Sequence, residues 1–174
     1  MEEFNGHGFA GARVQRIADR AGVNKQLLFY YFGSKSRLYS AVVAQSKQQL
    51  GDRPVTTDGS SRATLRREVV ATYGALAARP HLTKLLTLDQ DVTEHASELA
   101  ATTIERLLKR FADAVSDGQR LGYFRDDTDP DSAARHALGL ILGHLALERV
   151  CGEGSGGTEL REGIVQILLR SLEW

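Results

Sequence analysis

Cysteine is all but missing from this chain of 174 residues: Cys151 stands alone, so no internal disulfide can form. That fits a reducing compartment. Proline is scarce, at positions 54, 80 and 130 only, and proline-rich or collagen-like architectures are therefore excluded. No apolar run reaches the roughly 18 residues that suggest a membrane-spanning helix, and no signal-peptide pattern opens the chain. Strand-like alternation, heptad arrays and repeats of fixed period are missing as well. Net charge is zero, with 22 basic and 22 acidic residues. What remains is an ordinary globular composition, long enough to bury a sizeable core without disulfides. These observations predict a soluble cytoplasmic all-α protein with no membrane association.

The zero balance hides an asymmetry. Residues 1–50 hold seven basic residues (13, 16, 20, 25, 35, 37, 47) against three acidic ones (2, 3, 19), while the remainder carries the compensating acidic excess. A positive head on a negative body is expected where one end meets phosphates.

The segment 12–35 explains that head. Val14, Ile17 and Ala18 share one helical face, and Ala21 follows a turn later. Gly22 then supplies a residue tolerant of left-handed backbone, as a helix end requires. Val23 is an apolar plug, and Asn24 is a good N-cap for the next helix, 25–31. Leu28 and Phe32, at i, i+4 spacing, can face inward. Lys25, Gln26, Phe29 and Tyr30 are then left to face outward. A helix, a glycine turn and a second helix showing a cation, an amide and aromatics outline a helix-turn-helix reader of DNA. The remaining alternative is a helical hairpin whose outward aromatics pack on a neighbouring domain.

The run IADRAGVNKQLLFYYFGSK resembles the DNA-binding head of the tetracycline-repressor (TetR) family. The matching positions are Gly8-Phe9, Ile17-Ala18, Ala21-Gly22-Val23, Leu28, Tyr31-Phe32 and Ser34-Lys35. The resemblance implies an all-α fold with a head at 1–50, its motif at about 13–32, and a helical ligand-binding and dimerisation body at 62–174. It implies that Lys25 and Gln26 reach base edges. Tyr30, Tyr31 and Lys35 would hold phosphates, with help from Arg13 and Gln15. Phe29 stands where tyrosine is commoner and could touch a thymine methyl. Two departures stand out. Position 12 is Ala12 rather than Thr or Ser, and loss of such a cap typically costs about 1 kcal/mol. Residues 1–4 offer at most one helical turn where the family has a full first helix. From this we expect a mobile head and a natural chain that begins further upstream.

Beyond Ser34, which reads as an N-cap, a helix is expected to about residue 50, then a linker at 51–61 rich in glycine and small polar residues. Leu65, Val69, Tyr73 and Leu76 mark an amphipathic helix over 62–79. A short apolar segment follows at 81–88, and a long helix at 93–121 carries Leu108 and Phe111 on its apolar stripe. Helices 131–150 and 160–172 are apolar nearly all round. Each needs cover on two sides, which implies a four-helix bundle with a second copy. Leu138, Ile141, Leu142, Leu145, Ile164, Leu168 and Leu172 are expected at that interface. Gly139 and Gly143 permit close approach, either to the partner or within one chain. Tyr73, Leu76, Leu86, Leu108, Phe111 and His144 are pocket candidates for a small effector, or equally plain core.

Other patterns carry less. The G-x-G-x-x-G at 152–157 follows an apolar helix rather than a strand, so a flexible loop is expected instead of a dinucleotide site. Asp127, Asp129 and Asp131 resemble the start of a calcium loop, but Ser132 and Leu138 stand where Gly and Glu are required. The five histidines (7, 81, 95, 136, 144) have no metal-site spacing. Cys151 near His144 lacks an orienting third group. No cofactor, metal or catalytic residue is expected. The function indicated is a dimeric transcriptional repressor released from a double-stranded DNA operator by a small molecule. A helical small-molecule-binding protein with a vestigial head is the alternative, and an all-α enzyme ranks third.

Overall fold

A computed structural model describes residues 2–51, 60–86, 94–151 and 157–173. Among these residues the secondary structure is helical throughout: α1 (Glu2–Gly11), α2 (Val14–Ala21), α3 (Lys25–Phe32), α4 (Lys35–Gly51), α5 (Ser61–Ala77), α6 (Pro80–Leu86), α7 (Glu94–Arg120), α8 (Pro130–Cys151) and α9 (Gly157–Leu172). The helices form two compact units, residues 1–52 with 79–103 and residues 53–78 with 104–174. This division differs from a cut between 50 and 62, because α6 packs on α1 and so groups with the head. The expected linker and the glycine-rich run fall mostly on 52–59 and 152–156, outside the described residues.

In the first unit, α1 is longer than its sequence suggested. It is helical from Glu2 and breaks at Gly8, whose φ of 66° and ψ of −173° suit glycine and strain other residues. Phe4 is buried, its ring centre 4.9 Å from that of Tyr39, and Phe9 lies 5.2 Å from the same ring. The Asn5 side-chain oxygen accepts from the backbone N–H of His81 at 3.4 Å and contacts its ring Nδ1. It thus ties α1 to the start of α6. The missing cap at Ala12 is answered differently from the expectation. Arg13 is the cap residue and makes no side-chain cap, but the buried Glu3 carboxylate accepts its N–H at 3.2 Å. A negative charge there also favours the positive end of α2.

Two titratable groups of this unit respond to acid. His81 is fully buried, and burial first, then nearby positive charge including Arg79, pushes it down from 6.5 to about 4. The folded unit therefore binds fewer protons than the unfolded chain between those values, and stability falls as pH drops through that window. Burial alone would raise Glu3, but the Arg13 N–H and the charges of His7, Arg16 and Arg20 outweigh it and hold it below its usual 4.5. Its contribution is present above the ordinary carboxylate range and is lost at lower pH. Urea titrations at about pH 7, 5.5 and 4 should show the first unit weakening as soon as pH falls below the histidine range. His81→Asn should flatten the upper part of that decline. An unchanged profile in His81→Asn would contradict the assignment.

The second unit packs α5, the larger part of α7, α8 and α9. Ser60 caps α5, its hydroxyl accepting from the Ala63 N–H at 3.3 Å, and Asp129 caps α8 through the Ser132 N–H at 2.8 Å. Leu65, Val69 and Leu76 of α5, Phe111 and Val115 of α7, Ile141 of α8 and Val165 of α9 are fully buried. Arg62 pairs with Glu173, and Arg66 with Glu162, along the exposed edge of α5 and α9. The loop after α7 folds back tightly. A Cβ at Gly118 would stand 2.1 Å from the buried Phe124 ring, so only glycine leaves room for it. Gln119 Nε2 donates to the carbonyls of Arg125 and Thr128, and the Arg125 N–H donates to the Leu172 carbonyl at 2.8 Å. Asp127 is spent on Arg125, and Asp129 on its cap.

Candidate nucleic-acid interface

The α2–α3 turn has the geometry its sequence implies. Gly22 is left-handed at φ 65°, and the N–H groups of Gly22 and Val23 donate to Asp19 and Ala18 carbonyls. Asn24 Oδ1 accepts from the Gln26 N–H at 2.9 Å and starts α3. Val14 and Ala18 are buried beneath, and Leu28 and Phe32 are half-buried. No residue of α3 is fully buried, because an eight-residue helix laid on the surface has only one narrow seam to hide. The rest of it faces water.

Lys25 and Gln26 are exposed at the start of α3, as expected. Tyr30 and Tyr31 are exposed by 82% and 72%, edge to face at 5.4 Å. Lys25 Nζ lies 5.7 Å from the centre of the Phe29 ring, a cation–π distance. Arg13 is exposed at the mouth of α2. Gln15 is turned along its own helix, donating to Asp19 at 2.8 Å. Lys35 donates to the Ala10 carbonyl at 3.0 Å and sits 5.0 Å from the Phe9 ring centre, so reaching a phosphate requires it to leave that contact. Arg16 and Arg20 lean on Glu3 and Glu2 at 3.6 and 3.2 Å. Sequence reasoning missed Leu27, which is 43% exposed on the same face. The signal was available: Leu28 and Phe32 fix the inward seam, and position 27 lies about 100° away from it.

The pocket candidates are scattered. Tyr73, Leu76 and Phe111 are buried in the second unit, Leu108 is half-buried there, and Leu86 belongs to the first unit. Tyr73 and His144 come together, ring centres 6.0 Å apart. The Tyr73 hydroxyl and His144 Nε2 are both buried and make no hydrogen bond of good geometry, with the Glu148 carboxylate near both. Glu148 Oε1 is 3.7 Å from that nitrogen, and the Arg161 guanidinium is 5.7 Å from the Tyr73 ring centre. Burial, then the Glu148 carboxylate, pushes Tyr73 up to about 12, so the phenol stays protonated and can donate. Among the described residues no cluster of His, Cys, Asp or Glu could hold a metal, and no helix is long and apolar enough to cross a membrane.

Most of the expected interface residues are packed within the single chain. Leu138, Ile141, Leu145, Ile164, Leu168 and Leu172 are buried inside one chain's own body. Leu142 is half-buried. The apolar side chains that α8 and α9 leave in water are Leu147, Val150 and Ile167, 61%, 83% and 57% exposed, beside the exposed Gly139 and Gly143. Both helices are apolar all round, as read, but which stripe turns inward depends on how α5 and α7 pack.

A helix-turn-helix followed by a helical body defines an all-α class of protein whose best-formed surface is the outer face of α3. A family model for bacterial regulatory proteins of the tetR family matches residues 1–42, and the chain belongs to that family. It is 34% identical over 130 residues to the HTH-type transcriptional repressor SCO4008 of Streptomyces coelicolor, covering 72% of this chain and 64% of that protein. The chain thus spans just under two thirds of that relative's length. The head alone is 49% identical over 45 residues to the HTH-type transcriptional regulator RutR of Escherichia coli, 26% of this chain and 21% of RutR. In fold it is similar to a transcriptional regulator from Saccharomonospora viridis in complex with choline, with a TM-score of 0.81, 20% identity and coverage of 98% and 92% of the two chains. FadR from Bacillus subtilis in complex with stearoyl-CoA gives a TM-score of 0.76 at 17% identity, covering 97% and 92%.

Proposed function

We propose that the protein is a dimeric transcriptional regulator that binds an operator in double-stranded DNA through α3 and is released from it by a small molecule. The observation that carries this is α3 itself: a cation, an amide and two phenols stand exposed on an N-capped helix behind a glycine turn. That surface costs solubility without a partner and matches the major groove in size and chemistry. Lys25 and Gln26 read base edges, Tyr30, Tyr31 and Arg13 hold phosphates, and Leu147, Val150 and Ile167 face the second copy. Support for an effector comes from the buried Tyr73 hydroxyl and His144 Nε2, which make no hydrogen bond of good geometry and have the Glu148 carboxylate as a shared neighbour, since poorly satisfied buried polar groups are costly until something completes them. The bound molecules of the two structural neighbours, choline and stearoyl-CoA, are chemically unrelated, so the effector must be sought from this chain's own residues. With these roles the protein acts in the cytoplasm and catalyses nothing.

Titration of labelled duplexes from DNA flanking the gene, against scrambled duplexes at several salt concentrations, tests the reading. Preference for one flanking duplex and a log–log salt dependence of several phosphate contacts are expected. Lys25→Ala and Gln26→Ala should each narrow the gap between cognate and scrambled DNA by about 1–3 kcal/mol. Equal weakening on both duplexes would remove these residues from base reading. Absence of salt-dependent binding to any duplex would leave the small-molecule-binding alternative.

A further inference from the structure

The first turn of α3 carries three exposed residues, and only two of them have polar chemistry to read with. The third, Leu27, is 43% exposed, and its i+3 and i+4 neighbours Tyr30 and Tyr31 are exposed too. Phe29 is exposed to a similar degree, 39%, but Lys25 Nζ sits 5.7 Å from its ring centre. The ring of Phe29 is therefore engaged as a platform that steadies a lysine, while Leu27 lies on the side of the helix that carries Tyr30 and Tyr31. An exposed leucine beside two exposed tyrosines, on a helix whose first turn also carries the exposed Lys25 and Gln26, suits an anionic partner that has one apolar feature to offer. In the major groove only thymine has such a feature, its 5-methyl group.

We propose that Leu27 is a specificity-determining residue that recognises thymine through its 5-methyl group. The proposal rests on the DNA-binding reading of α3. It moves the thymine contact from Phe29 to Leu27 and assigns Phe29 to positioning Lys25. Deoxyuridine pairs as thymine does and lacks only the methyl, so it isolates the contact from every hydrogen bond in the groove.

The test begins with selection of duplexes from a randomised pool by the unmodified protein, followed by replacement of each selected thymine with deoxyuridine. One thymine per half-site should prove methyl-dependent, its replacement weakening binding about fourfold for each methyl contacted. Leu27→Ala should bind the thymine and deoxyuridine duplexes equally, Leu27→Met should restore part of the difference, and Phe29→Leu should leave it intact. Because Leu27 is exposed, the unfolding midpoint of Leu27→Ala should match that of the unmodified protein. Methyl dependence that persists in Leu27→Ala, or disappears in Phe29→Leu instead, overturns the proposal. Deoxyuridine without effect at any position overturns it too, in the unmodified protein alone and without reliance on a variant. Failure to enrich any duplex would overturn the DNA-binding reading itself, a different result from an enriched sequence indifferent to the methyl group.

Discussion

Replacing Arg110 with methionine should lower the stability of the second unit by about 3–5 kcal/mol, the usual result of taking the opposite charge away from a buried carboxylate. Arg110 on α7 holds Glu68 on α5 in a forked contact, Nε to Oε2 at 3.0 Å and Nη2 to both carboxylate oxygens at 3.0 and 2.8 Å. Their side chains are only 11% and 4% exposed, with the fully buried Val69 next to Glu68 and Phe111 next to Arg110. The pair sets the register of α5 against α7 with a geometry lysine cannot copy. Charge neutralisation on both sides, Glu68→Gln with Arg110→Met, should recover part of the loss, because most of the penalty comes from a buried carboxylate that has lost its guanidinium rather than from the missing bond. Urea unfolding followed by circular dichroism measures both variants. A loss below about 1 kcal/mol in Arg110→Met would mean that water screens the pair despite its burial.

The second large effect concerns association. Leu147→Glu combined with Ile167→Glu should convert the protein from dimer to monomer at micromolar concentration without changing its helix content. Both residues stand in water in the single chain, 61% and 57% exposed, so the folded chain tolerates the charges. A two-fold interface meets every substitution twice, and each lost leucine or isoleucine contact contributes roughly 1.5–3 kcal/mol before the cost of burying a carboxylate. Leu168→Glu is the control: Leu168 is 3% exposed inside its own chain, and the charge should unfold the body rather than release a partner. Sedimentation that shows an intact dimer for the double variant would place the interface elsewhere.

Much of this architecture can be read from local chemistry. Asn24, Ser34, Ser60 and Asp129 accept the N–H bonds that start their helices, and Gly22 takes the left-handed turn its position demands. What was not legible depends on distant packing. Glu3 reads as a surface acid in sequence, yet it is buried because α2 needs an acceptor for the Arg13 N–H. Likewise α6 looks like part of the body until His81 is seen to meet Asn5. In α8 and α9 nearly every position is apolar, so periodicity could not tell the stripe holding Leu138 and Ile141 from the one holding Leu147. The exposed face of α3 was legible because its seam is narrow: Leu28 and Phe32 define it, and all else on α3 faces out. Leu27 followed from the same wheel and was passed over because leucine is ordinarily counted as core.

Hydrogen exchange with and without a duplex selected by the protein tests most directly the proposal that the outer face of α3 is the DNA surface. Bound DNA should slow exchange in the residues of α2, α3 and the start of α4, about 13–37, while the amides of α9 stay unchanged or shift less. Protection confined to the second unit, or none in α3 at a duplex concentration that saturates binding, would contradict it.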